Sequence, residues 1–467
     1  MNTSRLKIQT CIIAVVIAAT CSITSCSQSS SQNKSAIISN NFYDISEKKD
    51  DIILNFAIMG EDTILKQAAE KFNEIDNGYC IKFTEYNQQG YGEVNSGELE
   101  LSDFELIQDI INTDNIDIIA SCAFKNEDNY RMLQKKGAFV DLYPFMNNDS
   151  EINIKTLNNN VISAIAIDEK LYSLPTFYCI YTMGGDPKYV GNKNNWTYDD
   201  MMQYWDAMPD NATIHGKRTK EEAFYTLISP NLASYIDYED GKVKFNSQEF
   251  KKCLEFCNSF DYGNQEKKEY DFNAPQFINT LNIDSFMGIW PFEISSEFPK
   301  LTFVGFPSMD GRGAFFKSCG KCFSISSKSS LEKQKAAWEF IRTFVTEEWQ
   351  IENVLSPGEG KNKTEIGFCI NNNAFETIKN NVVNKEYSEE TYQNKNEEFD
   401  TVFPSKEDCD KLTEYINSID RWEVTLNDSI YQLINEEIMM YFSGEISIDK
   451  CVNNIQERAS LWISEQY

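Results

Sequence analysis

The chain is 467 residues long and carries 43 Lys+Arg against 72 Asp+Glu, with a single histidine, for a formal net charge of −29. So acidic a chain is a poor match for nucleic acid, whose binding rests on neutralised phosphates, and for a polybasic hold on anionic lipid; one histidine excludes a His-rich metal site. The 41% hydrophobic and 13% aromatic content describes a globular body, and the length amounts to roughly two to three domains' worth of chain.

Arg5 and Lys7 precede an apolar run from Cys11 to Ala19, followed by Ile23-Thr24-Ser25-Cys26 and a polar stretch from Ser27 to Lys34. A positive start, a short apolar run and small residues before a cut describe a secretory leader. The run falls short of the ~20 residues that a spanning helix needs. Small residues ending at a cysteine resemble the lipobox of bacterial lipoproteins, with Ile23 where that pattern prefers Leu. The resemblance implies a leader over residues 1–25 and a Cys26 that is acylated, palmitate included, as the mature N-terminus. An ordinary leader with a chance cysteine is the alternative. Residues 26–50 are Ser-, Asn- and Lys-rich and read as a flexible tether, leaving 51–467 as the folded body.

Ile52 to Ile58 predicts a buried strand, stopped by Gly60. Asp62 stands at an N-cap position ahead of Leu65, Ala68, Ala69 and Phe72, which recur at helical spacing. Cys80 to Tyr86 predicts the next strand, Phe104 to Ile111 a helix, and Ile116 to Ala120 another buried strand. Alternating strand and helix argue for a mostly parallel sheet covered on both faces. Gly137 turns the chain into a short element, and Leu171 to Pro175 leads into an aromatic-rich segment from Phe177 to Tyr181. Thr197 is the expected N-cap of a helix opening with Asp199 and Asp200. Residues 238–245 predict a hairpin on Asp240-Gly241, and Asn246 with Glu249 has capping-box spacing. Ile283 to Trp290, with a strand at Phe286–Ile289, and Phe303 to Phe306 are two more short apolar runs. Helices follow over Leu331–Phe344 and in the tail around 428–442 and 448–464.

Of thirteen cysteines, Cys11, Cys21 and Cys26 belong to the leader region. Cys253 and Cys257, with Cys319 and Cys322, could in principle supply four zinc ligands. The first pair has helical spacing among Phe250, Leu254 and Phe256 and reads as buried thiols. Cys319-Gly-Lys-Cys322 is open to a disulfide, a metal or two free thiols.

Several segments together resemble the extracellular solute-binding lipoproteins of bacterial ABC importers, in the branch that includes sugar-binding proteins. They are Gly60-Glu-Asp62 with the helix Leu65–Phe72, Ile116-Asp-Ile-Ile-Ala120, Gly137-Ala-Phe-Val-Asp-Leu-Tyr-Pro144 and Lys170-Leu-Tyr-Ser-Leu-Pro175. Trp196-Thr-Tyr-Asp-Asp200, Gly305-Phe-Pro-Ser-Met-Asp-Gly311, Ala336-Ala-Trp-Glu-Phe-Ile341, Glu436-Glu437 with Phe442-Ser-Gly444, and Ile455-Gln-Glu-Arg458 continue the series. Cys319-Gly-Lys-Cys322 departs from the small residues usual in that family. The resemblance implies an α/β, two-lobed, periplasmic-binding-protein-like (type II) fold with a hinge and an interlobe ligand cleft. It implies a monomer held to the outer face of the cell membrane by its lipid, with a small-molecule sugar as ligand, permease subunits and their ATPase as partners, and no cofactor, metal or catalytic residue.

Open α/β sheets bind beyond the carboxyl ends of their strands. Applied to the predicted strands, that selects Glu61 and Asp62, then Ser121, Cys122 and Phe124, then Trp290, Phe292 and Glu293. A sugar's apolar face packs on an aromatic ring, and its hydroxyls need carboxylates, amides or Arg. Trp290 and Phe292 are stacking candidates or core; Phe177 and Tyr178, on a crossing segment, are likewise cleft or core. Asp62 is a cap, a hydroxyl acceptor or both. The resemblance puts Arg312 and Phe316, on the 311–320 loop, near hinge and ligand; a solvated loop is the alternative. An enzyme is the main rival. His215 sits in a turn-like stretch and makes a poor base, whereas a carboxylate-pair glycosidase has many acids to choose from and no spacing that singles out a pair. A structural or adhesive surface lipoprotein is the third class.

Overall fold

The computed structural model describes residues 51–467 apart from 61, 76, 87–102, 125–126, 239, 261–273, 288–300, 358–362, 366, 387–402, 425 and 467. The leader, the tether and Cys26 lie outside the described residues, as do Glu61, Trp290, Phe292 and Glu293. The described residues all fall within one compact unit.

Its strands are β1 (Ile52–Ile58), β2 (Tyr79–Glu85), β3 (Ile118–Ala120), β4 (Leu174–Pro175), β5 (Phe177–Gly185), β6 (Ile236–Asp237), β7 (Lys242–Val243), β8 (Asn279–Ile283), β9 (Thr302–Phe303), β10 (Phe315–Ser318), β11 (Cys322–Ile325), β12 (Leu355–Pro357), β13 (Lys363–Glu365) and β14 (Phe368–Cys369). The first sheet has the order β2-β1-β3-β11-β4. β1 runs parallel to β2 from Ile52↔Tyr79 to Ile58↔Glu85 and parallel to β3, while β11 is antiparallel to β3 and β4. Side chains alternate across a strand, so Phe56 and Ala57 meet different helices. Phe56 packs edge-on to Phe340 of the helix Leu331–Ile341, and Phe340 packs in turn on Phe72 of the helix Thr63–Glu74. Ala57 belongs to a core with Leu106, Ile110, Tyr130 and Leu133 from the helices Phe104–Asn112 and Glu127–Lys135. Both faces are covered, as the fully buried β3 requires.

The second sheet departs from the parallel expectation. β5 is its centre, and β8, β9, β10 and β14 all pair with it antiparallel. Its core joins Met183, Trp196, Phe224, Phe250 and Phe277 to Ile434 and Ile455 of the tail helices Asp428–Phe442 and Ile448–Gln466. The run expected as a strand over Phe286–Ile289 is not one where it is described. The strand lies just before it, at Asn279–Ile283, and Phe286 turns inward to pack on Phe368 and Phe375. Thr197 caps its helix as predicted, and does so in a capping box with Asp200, whereas Ser247 and not Asn246 caps the helix Gln248–Asn258. Cys253 and Cys257 are fully buried in the second core.

Two strand connections pass directly from one sheet to the other. β4 and β5 are separated by Thr176 alone, and β10 and β11 by residues 319–321. The two crossings are tied to each other: Thr176 N donates to Lys321 O at 2.9 Å and Lys321 N to Thr176 Oγ1 at 3.1 Å. Fully buried Gln350 holds the same point, donating Nε2 to Thr176 O and accepting Asn371 N at 2.9 Å. A chain of rings, Phe56, Phe340, Phe344, Trp349 and Phe177, runs alongside with centroid spacings of 5.9, 5.3, 5.0 and 5.9 Å and joins the two sheets through the intervening helices. Replacing Gln350 by Leu would leave the Asn371 N–H and the Thr176 carbonyl buried without partners. We expect a loss of about 2–4 kcal/mol in denaturant unfolding, and an unchanged midpoint would show that water or rearrangement substitutes for the amide.

Candidate functional site

The carboxyl edge of the first sheet assembles around Asp62. Its Oδ1 accepts Leu65 N at 2.9 Å and caps the helix Thr63–Glu74; its Oδ2 pairs with Lys321 Nζ. One carboxylate therefore does two jobs, and the second partner in this structure is an ammonium. Because β11 runs opposite to β1 and β3, its first residues lie at the edge where β1 and β3 end. That brings Lys321 beside Asp62, and brings Cys322 N to Ser121 Oγ, which accepts it at 3.1 Å. Cys122 lies in the same group. Burial pushes its thiol up, against the pull of Lys321, and Asp62 adds to the rise. Both Asp62 and Lys321 keep part of their side-chain surface open, at 21% and 28%.

The aromatic candidates fare differently. Phe124 is 4% exposed and packs at 5.4 Å on Tyr130 inside the first core. Phe177, Tyr178 and Phe316 are at 2%, 0% and 0%. Tyr178 meets Phe316 edge-on at 5.4 Å, and Asn158 Nδ2 donates to its hydroxyl at 3.3 Å. With no open face, these four rings serve packing in the structure described. Their density reflects how much apolar surface a central strand and its neighbours must fill. Tyr181, further along β5, is only partly buried, lying 4.6 Å from Phe306 with Lys317 Nζ at 5.9 Å from its centroid.

Arg312 is exposed and is engaged by protein. Its Nε donates to Asp420 Oδ1 at 3.1 Å and its Nη2 to Asp420 Oδ2. Reciprocally, Arg421 Nη2 donates to Asp310 Oδ2 at 2.6 Å and Nη1 to Arg312 O at 3.0 Å. Burial works against the charged form of Asp310, but Arg421 with the Arg312 N–H and the Ser308 hydroxyl holds its carboxyl below the usual range. Lys317 pairs with Glu423 at 3.0 Å, and Phe316 exchanges backbone bonds with Arg421 and Glu423. The segment 420–423 is thus strapped along β10 next to the crossing. Gly313 makes the tight loop possible: a Cβ there would lie 1.6 Å from Phe306 O.

The 319–322 pair is split. Contact with the Cys179 thiol, then burial, pushes the Cys319 thiol up, while Cys322, on β11, donates Sγ to Ser318 Oγ on β10 at 3.4 Å. Among the described residues no group of three or more His, Cys, Asp or Glu could hold a metal ion. His215 sits in the turn closed by Ile214 N to Lys217 O at 2.9 Å, beside Gly216 N bonded to Gln276. Sequence reasoning missed Lys321, Asp420, Arg421 and Glu423. The only signal for them was opposite charges near two loops whose contact no local pattern reveals.

No family model matches the chain, and no curated protein matches it. Solved structures do. A periplasmic oligogalacturonide binding protein from Yersinia enterocolitica is 13% identical, with a TM-score of 0.57 over 89% of this chain and 100% of that one. An extracellular solute-binding protein family 1 from Alicyclobacillus acidocaldarius subsp. acidocaldarius DSM 446 is 12% identical, with a TM-score of 0.52 over 89% and 100%. A structure described as a de novo designed esterase is 13% identical, with a TM-score of 0.57 over 89% and 100%. At these identities the likeness is one of fold: the chain has the two-lobed α/β fold of the solute-binding proteins.

The described cysteines are all free thiols, and only Cys122 and Cys319 are less than fully buried. A chain of residues 27–467 should therefore react with a small maleimide at no more than those two positions within minutes near pH 8, and at all ten once denatured. Rapid native labelling at Cys253 or Cys257 would contradict the buried-thiol assignment, and a shortfall in denaturant without reductant would reveal a disulfide.

Proposed function

We propose that this chain is the extracellular substrate-binding component of an ABC importer, which captures a carbohydrate, in the first place an oligosaccharide, between its lobes and delivers it to a membrane permease. The observation that carries the proposal is the gathering of Asp62, Ser121, Cys122 and Lys321, far apart in sequence, at the carboxyl ends of the parallel strands β1 and β3 beside the two strand crossings. That edge is where open α/β sheets take their ligands. An acid, a base and a hydroxyl with part of their surface open suit a polyhydroxylated solute. Glu61, Trp290 and Phe292 remain our candidates for completing the site, with Trp290 as the stacking ring. Arg312 acts there only if it leaves Asp420, and the buried Phe124, Phe177, Tyr178 and Phe316 act as backing for the site. One comparison protein, described as an oligogalacturonide binding protein, supports a bound sugar.

Fold alone does not separate a binder from a hydrolase. The single imidazole, His215, stands in a turn whose Gly216 N–H donates to Gln276, and one histidine leaves a Ser-His-Asp site with a single possible base. We accordingly read the chain as a binder and not an enzyme. A panel of neutral and acidic oligosaccharides in thermal unfolding should yield one class that stabilises the protein, by about 2.7 kcal/mol at a hundredfold excess over Kd. The solute should return from the complex intact, and Trp290→Ala should weaken binding by roughly 1–3 kcal/mol without lowering the unliganded melting temperature. A cleaved solute would select the glycosidase, and no stabilising sugar would remove the carbohydrate reading.

The anchor is part of the same proposal. Cys26 would carry the lipid that keeps the protein at the outer face of the membrane, with residues 26–50 as its tether. Because one acyl chain binds only marginally, stable anchoring takes more than one. Cys26→Ala should move the protein from the membrane fraction to the medium or leave it unprocessed. Unaltered membrane partition would overturn the assignment.

A further inference from the structure

The helix Glu127–Lys135 belongs to the first lobe. Tyr130 and Leu133 are buried in that lobe's core, and the Tyr130 hydroxyl is bonded to Ser173 Oγ at 2.8 Å and Ser324 Oγ at 2.6 Å. Asp128 and Lys135 lie two turns apart and therefore share a face of the helix. Each touches the second lobe. Asn427 Nδ2 donates to Asp128 Oδ2 at 2.9 Å, and Lys135 Nζ stands 4.8 Å from the centroid of the Tyr238 ring. Tyr238 packs against the second core beside the β6–β7 hairpin, and Asn427 caps the helix Asp428–Phe442, which contributes Ile430 and Ile434 to that core. The amide is not free to turn. Its Oδ1 accepts Ser429 N at 2.9 Å, so its NH2 must face outward, toward Asp128. Burial raises the Asp128 carboxyl, against the pull of Asn427 and Arg131, as expected of a contact from which water is partly excluded.

We propose that Asp128 and Lys135 form an interlobe latch, a two-point contact that holds the lobes together in the absence of solute and so sets the balance between closed and open forms. The points are ~10 Å apart along the helix, from the rise per residue. One contact would allow the lobes to pivot, while two fix the angle between them. The latch itself rests on the two-lobed fold. Only its consequence for affinity rests on the proposed binding function: if solute is held by the closed form, apparent Kd scales inversely with the closed fraction.

The test needs no solute. Hydrogen exchange is followed by mass spectrometry on the mature chain and on Asp128→Ala, Asp128→Asn and Lys135→Ala, each first checked for native unfolding behaviour. A single hinge opening breaks both contacts, so Asp128→Ala should speed exchange around the 236–243 hairpin, beside the Lys135 contact, and Lys135→Ala should speed it at 426–429, beside the Asp128 contact. The expected change is roughly 2- to 5-fold for Lys135→Ala, the scale of an exposed cation–π contact, and about tenfold for Asp128→Ala, the scale of a hydrogen bond to a charged group. Asp128→Asn keeps an acceptor and should lie between wild type and Asp128→Ala. If Asp128→Ala fails to fold, Lys135→Ala alone carries the test. Exchange that rises only beside each substituted residue overturns the latch. Because no sugar is added, that result leaves the carbohydrate reading untouched, and failure of the sugar panel leaves the latch untouched.

Discussion

Everything in this molecule is arranged around the passage of the chain through Thr176. A single residue separates a strand of one sheet from a strand of the other, so its backbone groups have neither ladder to join, and no buried amide can go unpaired without cost. The structure answers from two sides. Lys321, on the return crossing, accepts the N–H, and the Gln350 side chain takes the carbonyl. The same bonds fix how the edges of the two sheets face each other. Lys321 is therefore part of the crossing by its backbone and part of the candidate site by its side chain, and the geometry around Asp62 is tied to the crossing.

Charge is used locally rather than globally. The chain is strongly acidic, yet around the crossings every cation described has an acidic partner: Lys321 with Asp62, Lys317 with Glu423, Arg312 with Asp420 and Arg421 with Asp310. Individually, such half-exposed pairs contribute little. Their value is in placement, since the reciprocal Arg312–Asp420 and Arg421–Asp310 pairs hold the segment 420–423 against β10 in one register. Under the proposed function, a solute at Asp62 would meet an acid already engaged by Lys321.

The first lobe was legible because its signals are local. Ile52–Ile58 has the apolar run of a strand buried on both faces, and Asp62 is a side-chain cap three residues before the N–H it accepts; each occupies its predicted place. The second sheet was not legible, because β5 gathers partners from positions 279 to 369 and strands of two to five residues leave too little periodicity to read. The site divided along the same line. Asp62 and Ser121 follow from strand ends, a rule that needs only local information. The rings of Phe124, Phe177, Tyr178 and Phe316 could not be sorted into cleft or core, since an aromatic residue near a sheet looks the same in sequence whether it faces solute or packing. Lys321 and Arg421 act through partners more than a hundred residues away and left no local trace.

The core of the second lobe is assembled from both ends of a long interval. Trp196 and Phe224 come early, yet they pack with Ile434, Ile455 and Ile463 from the last two helices. Between them the chain leaves for the first lobe and returns. A ribosome or a translocation pore delivers residues in order, so this core must wait with its early half uncovered until the helices Asp428–Phe442 and Ile448–Gln466 have emerged. Such long-range closure slows folding and prolongs exposure of apolar surface. The acidic surface gives the waiting chain a means of staying dispersed, through mutual repulsion between molecules. The tail helices are thus the step that commits the protein to its native state, and synthesis time sets the earliest moment at which that can happen.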